Sequence, residues 1–253
     1  MIPRLLVVLL QVLAIGDAHK FLCYSPLFGQ SPVNFLGNIA DALIEAGHEV
    51  AYVVPEVDKK ISLYKSKYES KVFLVEQSPI AKAMDDRMEN ADAEGMVSQL
   101  WGSGSAEQAL ESFKELYVAL ADQCNATLLN KELIAQLRAE KFDVAYAESI
   151  DLCAFALFDL IGVKKTVITQ SFPSMENAFE IHGVETNPSM FDELGSNMDF
   201  AARARNTFLH VYFRMWGSEY VRKPIQTAID QIEDPEIRQI PQLEVRNQNA
   251  QLG

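Results

Sequence analysis

The segment that most constrains this chain runs from Lys20 to Pro55 and reads as strand, loop, helix, strand. Phe21-Leu22-Cys23-Tyr24 is a short apolar run bounded by polar and proline residues, the pattern of a buried strand. Ser25 to Ser31 follows, with the Pro26 and Gly29 that punctuate a loop. Ser31 stands where a helix N-cap belongs, and Pro32 takes the first helical position, where its missing N–H has no intrahelical partner to lose. Phe35, Leu36, Ile39, Ala40, Leu43 and Ile44 then share one helix face, with Asn34, Asn38, Asp41 and Glu45 off it. Gly47 closes the helix, and Glu49 to Val54 gives a second strand stopped by Pro55. A parallel β-α-β unit places ligands beyond the carboxyl ends of its strands, here the loop Ser25 to Ser31 and the first helical turn. The loop lacks GxGxxG spacing, so the sequence does not support a dinucleotide site.

A second unit of the same kind begins at Phe142. Phe142 to Tyr146 reads as a strand, Ala147-Glu148-Ser149 as the turn at its carboxyl end, Ile150 to Ile161 as an apolar helix, and Lys165 to Thr169 as the next strand. Glu148 and the loop Gln170 to Met175 therefore project on the same side of the sheet as Ser31. Between the two units lie a charged connection, Glu56 to Ser70, read as a solvated face, and a third strand, Lys71 to Glu76. Helical patterns follow at Ile80 to Gln99, Ala106 to about Asn130 and Lys131 to Glu140. The fold class is α/β, a Rossmann-like parallel sheet flanked by helices.

The 253 residues are enough for one large domain or two small ones. With 22 Lys plus Arg against 35 Asp plus Glu the net charge is −13, and no Lys/Arg cluster marks a nucleic-acid surface. Residues 1–18 read as a signal peptide: Arg4, then the apolar stretch Leu5 to Ile15, then small residues Gly16 and Ala18 ahead of a cleavage point. The stretch is shorter than the ~20 residues of a membrane span. Cys23, Cys124 and Cys153 have no metal-ligand spacing, and Cys23 and Cys153 read as small core residues. No metal site is expected. Asn125-Ala126-Thr127 is a glycosylation sequon inside a helical pattern, with its occupancy left open.

The two units together resemble the amino-terminal half of the UDP-glycosyltransferases, in particular the animal UDP-glucuronosyltransferase branch and its nematode members. The resemblance lies in Tyr24-Ser25-Pro26-Leu27-Phe28-Gly29, in Asn34-Phe35, in Ile39 to Leu43 and Ala46 to Val50, and in Phe142-Asp143-Val144, Glu148 and Asp151-Leu152-Cys153. It implies one half of a GT-B enzyme, residues 19–233, binding a small lipophilic acceptor. The UDP-sugar co-substrate binds through a separate carboxyl-terminal half, with no bound cofactor, and the setting is the endoplasmic reticulum lumen. In the family a histidine at the start of the first helix takes the acceptor's proton, and a carboxylate after the fourth strand orients it. By that correspondence Glu148 is the carboxylate, and Phe28, Ser31, Asn34, Phe35, Phe172 and Met175 lie by the acceptor.

Two departures stand out. The histidine position holds Pro32, which cannot accept a proton. The sequence has no donor half, and the polar residues 234–253 read as a frayed end, so a truncated chain is expected. The helical pattern Asp199 to Val221 carries Phe200, Phe208 and Tyr212 beside Arg203, Arg205 and Arg214. A membrane-surface role and packing against another half are both open for it, as is a homo- or heterodimer. A non-catalytic acceptor-binding or dimer-partner module is the alternative to the transferase.

Overall fold

The computed structural model describes residues 18–90, 106–171 and 198–241. Five strands, β1 (Lys20–Tyr24), β2 (Glu49–Pro55), β3 (Lys71–Val75), β4 (Val144–Glu148) and β5 (Thr166–Thr169), form one sheet in the order β3-β2-β1-β4-β5. Every pairing is parallel. The helices are α1 (Gln30–Glu45), α2 (Pro79–Asn90), α3 (Ala106–Leu128), α4 (Lys131–Glu140), α5 (Cys153–Leu160) and α6 (Phe200–Asp230). From β1 the chain steps outward to β2 and β3, then returns to lay β4 on the other side of β1. The reversal between β1 and β4 is the switch point where open parallel sheets hold their ligands.

Both faces of the sheet are covered, as parallel sheets require. On one face Cys23, Tyr52, Val54 and Tyr146 pack against Val33, Leu36 and Ala40 of α1. On the other, Leu22, Val53, Phe73 and Ala145 meet α3, α5 and the last turns of α6. The α/β architecture expected from the sequence is present.

The differences are local, and each has a physical cause. Ser31 is not the cap: α1 begins at Gln30, its N-cap is Gly29 in an extended conformation with no side-chain cap, and Pro32 is the third helical residue. Proline is tolerated throughout a first turn because those N–H groups have no intrahelical acceptor. Strand β4 runs two residues past Tyr146, because Ala147 and Glu148 pair with Ile168 and Thr169. Glu148 thus ends a strand rather than sitting in a turn. Helix α5 starts only at Cys153. The connection 56–70 is not simply solvated, since Val57 and Asp58 are buried and Tyr64 packs against α1. The expected helix beyond Asn90 lies outside the described residues.

Cys153 is not a free core thiol. It is bonded to Cys124, tying α5 to α3, while Cys23 stays free and buried. Helix α6 continues nine residues past Val221, through Pro224, and buries Ile225, Ala228 and Ile229. At its other end Phe200 and Phe208 are exposed. No helix among the described residues is long and apolar enough to cross a membrane. The stretch after Asp234 is not frayed where it is described. Ile237 is buried, and Arg138 reaches both the Leu160 carbonyl, at 2.7 Å, and Glu236, at 2.9 Å.

The sequon lies inside α3. Thr127 is fully buried, with its hydroxyl donating to the Gln123 carbonyl at 2.8 Å. The Asn125 carboxamide oxygen is also buried, and the residue faces Pro224 and Thr227 of α6. Folding thus buries the sequon's threonine and half-buries its asparagine in a regular helix packed beside α6. Protein made in a secretory host is expected to show no change in mass on glycosidase treatment, and a loss of about 1–2 kDa, the size of one core glycan, would contradict this.

Candidate functional site

The loop after β1 is held by backbone bonds before any side chain acts. Ser25 N donates to the Val53 carbonyl (2.9 Å), Leu27 N to that of Pro55 (2.8 Å), and Asp58 N to that of Leu27 (2.7 Å). The loop is thereby fixed to the carboxyl end of β2, and it delivers the first turn of α1 to the switch point.

From the neighbouring strand comes Glu148, 1% exposed. It shares the α1 face of β4 with Tyr146, two residues earlier, by strand alternation. One carboxyl oxygen accepts the Ser171 N–H at 2.8 Å. The other is buried without a partner, as is the Ser171 hydroxyl. Burial pushes the carboxyl up to about 7, with the Ser171 N–H bond pulling the other way. A carboxyl poised near neutrality with an unsatisfied oxygen is a candidate for proton transfer.

Three residues on comes a second buried acid. Asp151 accepts the Cys153 N–H at 3.0 Å and the Tyr24 hydroxyl at 3.1 Å. Desolvation raises it to about 7 as well. Tyr24 is the last residue of β1, so this bond joins the β1 end to the turn that follows β4. The same turn is anchored to β5 by Ser149 N on the Thr169 carbonyl (3.0 Å) and by the Gln170 amide on the Ser149 hydroxyl (3.1 Å). The disulfide holds its far end.

The structure brings together only part of the expected set. Glu148 and the loop of Ser25 to Ser31 meet at adjacent strand ends. Ser31 and Asn34 are exposed, Asn34 accepting from the Gln30 amide at 3.1 Å, and Phe35 is half-buried. Phe28 does not line a site: at 2% exposure it belongs to the core on the face opposite α1. Phe172 and Met175 lie outside the described residues. Sequence reasoning missed Asp151, Tyr24 and Ser171. An aspartate just ahead of an apolar helical run is a cap signal and could have flagged Asp151. Nothing local marks Tyr24. Among the described residues no group of three or more His, Cys, Asp or Glu is placed to hold a metal ion.

The family model for UDP-glucoronosyl and UDP-glucosyl transferase matches residues 30–245. The chain belongs to this family. Among curated relatives, putative UDP-glucuronosyltransferase ugt-56 of Caenorhabditis elegans is 29% identical over 196 residues, covering 76% of this chain and 36% of the relative. The putative UDP-glucuronosyltransferase ugt-55 of the same species is 26% identical over 205 residues, 77% of this chain and 38% of the relative. The chain therefore spans a little over a third of the length of these relatives. Among solved structures, the Streptomyces glycosyltransferase SsfS6 superposes at a TM-score of 0.36 and 14% identity, over 60% of this chain and 39% of that one. The superposition is loose, and the fold is defined by the sheet order itself. In this member of the UDP-glycosyltransferase family the first turn of α1 carries a buried proline, Pro32, and β4 ends on a buried carboxylate, Glu148.

Proposed function

We propose that this chain is the acceptor-binding half of a UDP-sugar-dependent glycosyltransferase of GT-B architecture, acting on small lipophilic hydroxyl compounds in the secretory pathway. The observation that carries the reading is Glu148. A buried carboxyl near 7 ends β4 at the switch point, beside the β1 loop, with one oxygen unsatisfied. With Pro32 at the histidine position, Glu148 is the group that takes the acceptor's proton directly. The acceptor oxygen then attacks the anomeric carbon of the sugar, the bond from that carbon to the UDP oxygen breaks, and UDP leaves with the bonding pair. The donor binds on residues beyond this chain. The Cys124–Cys153 disulfide supports an oxidising compartment.

The test joins this chain to the carboxyl-terminal remainder of ugt-56 and measures sugar transfer to simple phenols. Transfer is expected to rise with pH through about 7 as Glu148 ionises. Glu148→Gln is expected to lower kcat by about 10²–10⁴-fold with KM little changed. A folded chimera without transfer, even with Pro32→His in place, would overturn the reading. That outcome favours a second one, motivated by Pro32 itself: a module that binds acceptor-like molecules without chemistry.

A further inference from the structure

Three strand starts meet at the end of the sheet opposite Glu148. His19 immediately precedes β1, His48 precedes β2 and Asp143 precedes β4, and these strands are neighbours in the order β2-β1-β4. His19 N donates to His48 Nδ1 at 3.2 Å, and the two imidazoles stack with their centres 5.7 Å apart. Asp143 Oδ2 lies 3.7 Å from His19 Nδ1. The side chains of His19 and Asp143 are each 48% exposed, so an ion can reach them from solvent. The proposed transfer chemistry uses none of these groups.

The surrounding backbone holds the cluster in place. Glu49 N–H donates to the His19 carbonyl at 3.0 Å, which pins His19 to the start of β2. His48 N–H donates to the Leu43 carbonyl at 3.1 Å, and its ring lies 5.2 Å from that of Phe21. Asp143 accepts the Lys20 N–H at 2.8 Å, which fixes the carboxylate and occupies the amide that follows His19.

The described side chains alone do not make a metal site. A further nitrogen arises when the leader is removed. Gly16 and Ala18 are the small residues ahead of the expected cleavage point. Cleavage after Ala18 makes His19 the first residue and turns its amide nitrogen into a primary amine. That is the atom already 3.2 Å from His48 Nδ1. An amide's lone pair is tied up in the peptide bond, whereas an amine's is free to bind a metal. The amine and His19's own Nδ1 can then chelate one ion, with His48 Nδ1 as the third nitrogen. Donors 3.2 Å apart, each about 2.0–2.1 Å from an ion, subtend about 100° there, the angle of a cis pair.

We propose that the mature chain, beginning at His19, binds one divalent copper ion through the His19 amine, His19 Nδ1 and His48 Nδ1. Nitrogen donors near right angles suit copper(II), which such sites bind more tightly than the other divalent first-row metals. Asp143 stands beside the ligands and offsets the ion's charge. The bound ion staples the freed amino terminus across β1 and β2. The proposal rests on entry into the secretory pathway and not on the transfer chemistry. A chain that keeps its leader fails the first of these, and a chain that starts at His19 without binding copper fails only at the site.

The test expresses the 253-residue sequence in a secretory eukaryotic host, identifies the first residue by mass, strips metal with a chelator and titrates copper(II) chloride. His19 is expected as the first residue, with one equivalent bound and three nitrogens visible in the paramagnetic resonance spectrum. His48→Ala and acetylation of the terminal amine are each expected to weaken binding about 100-fold, with the metal-free unfolding midpoint unchanged. His182→Ala and His210→Ala, which remove the other two histidines, are expected to leave binding as it was. A different first residue, or no saturable binding at one equivalent, overturns the proposal. So does full binding after His48→Ala or after acetylation. Equal weakening by His182→Ala or His210→Ala also overturns it, by placing the ion elsewhere.

Discussion

Asp151→Asn is expected to stabilise this protein at pH 8 and to do little for it at pH 5. Asp151 and Glu148 are buried acids whose folded-state values are raised to about 7. In the unfolded chain both return to the ordinary carboxyl range near 4. Between about 4 and about 7 the folded chain therefore keeps protons that the unfolded chain has released. Raising pH across that window favours unfolding, and the loss is complete above 7. From pH 5 to 8 it amounts to about 2–3 kcal/mol for each acid, an order-of-magnitude figure. Asparagine keeps the shape of Asp151: its oxygen accepts from Cys153 N–H, and its amide faces the Tyr24 hydroxyl, which can turn to accept. It cannot ionise, so the cost at pH 8 disappears. Denaturant unfolding at the two pH values reads this directly. A variant destabilised equally at both would show that Asp151 serves through its hydrogen bonds and not through its titration. Asp41, Glu45 and Glu140, held below their ordinary values by hydroxyl and lysine partners, act in the opposite sense and only at lower pH.

Removing the disulfide by Cys124→Ala with Cys153→Ala is expected to cost about 3–4 kcal/mol, from closure of a loop with a sequence separation of 29. For a domain of this size that lowers Tm by about 10 °C. The readout is guanidinium unfolding of the double variant, and of the parent with and without reductant. The disulfide carries the turn that follows Glu148, so its loss is also expected to increase amide exchange at Ser149 to Leu152 ahead of the global transition. A midpoint unmoved by reductant would mean that the unfolded chain stays compact around α3 and α5.

Several features were legible because they depend on local chemistry. The apolar runs at Phe21–Tyr24 and Glu49–Val54 gave strands, and the spacing of Leu36, Ile39, Ala40 and Leu43 gave the buried side of α1. Gly47 and Gly162 both sit at positive φ, where they end their helices. Other features depend on partners distant in sequence. Ser31 satisfies every local rule for a cap, yet backbone bonds from Leu27 and Asp58 fix the loop so that α1 starts at Gln30. The coil 56–70 looked solvated by its lysines, but Tyr64 finds the bare backbone of Gly37, 27 residues earlier.

The sequence by itself determined the parallel α/β class, the placement of Glu148 on the carboxyl side of the sheet and the family, since hydrophobic period, turn residues and motif order are local properties of the chain; that Glu148 closes β4 instead of lying in a turn came from its pairing with Thr169. Tertiary structure alone decided what Glu148 and Asp151 are chemically. A carboxyl's proton affinity depends on how much water the whole fold removes around it, and β1, α3, α5 and β5 remove nearly all of it here. The same holds for the Cys124–Cys153 bond and for the meeting of His19 with His48. Both exist only once segments far apart in the chain are packed at fixed distances.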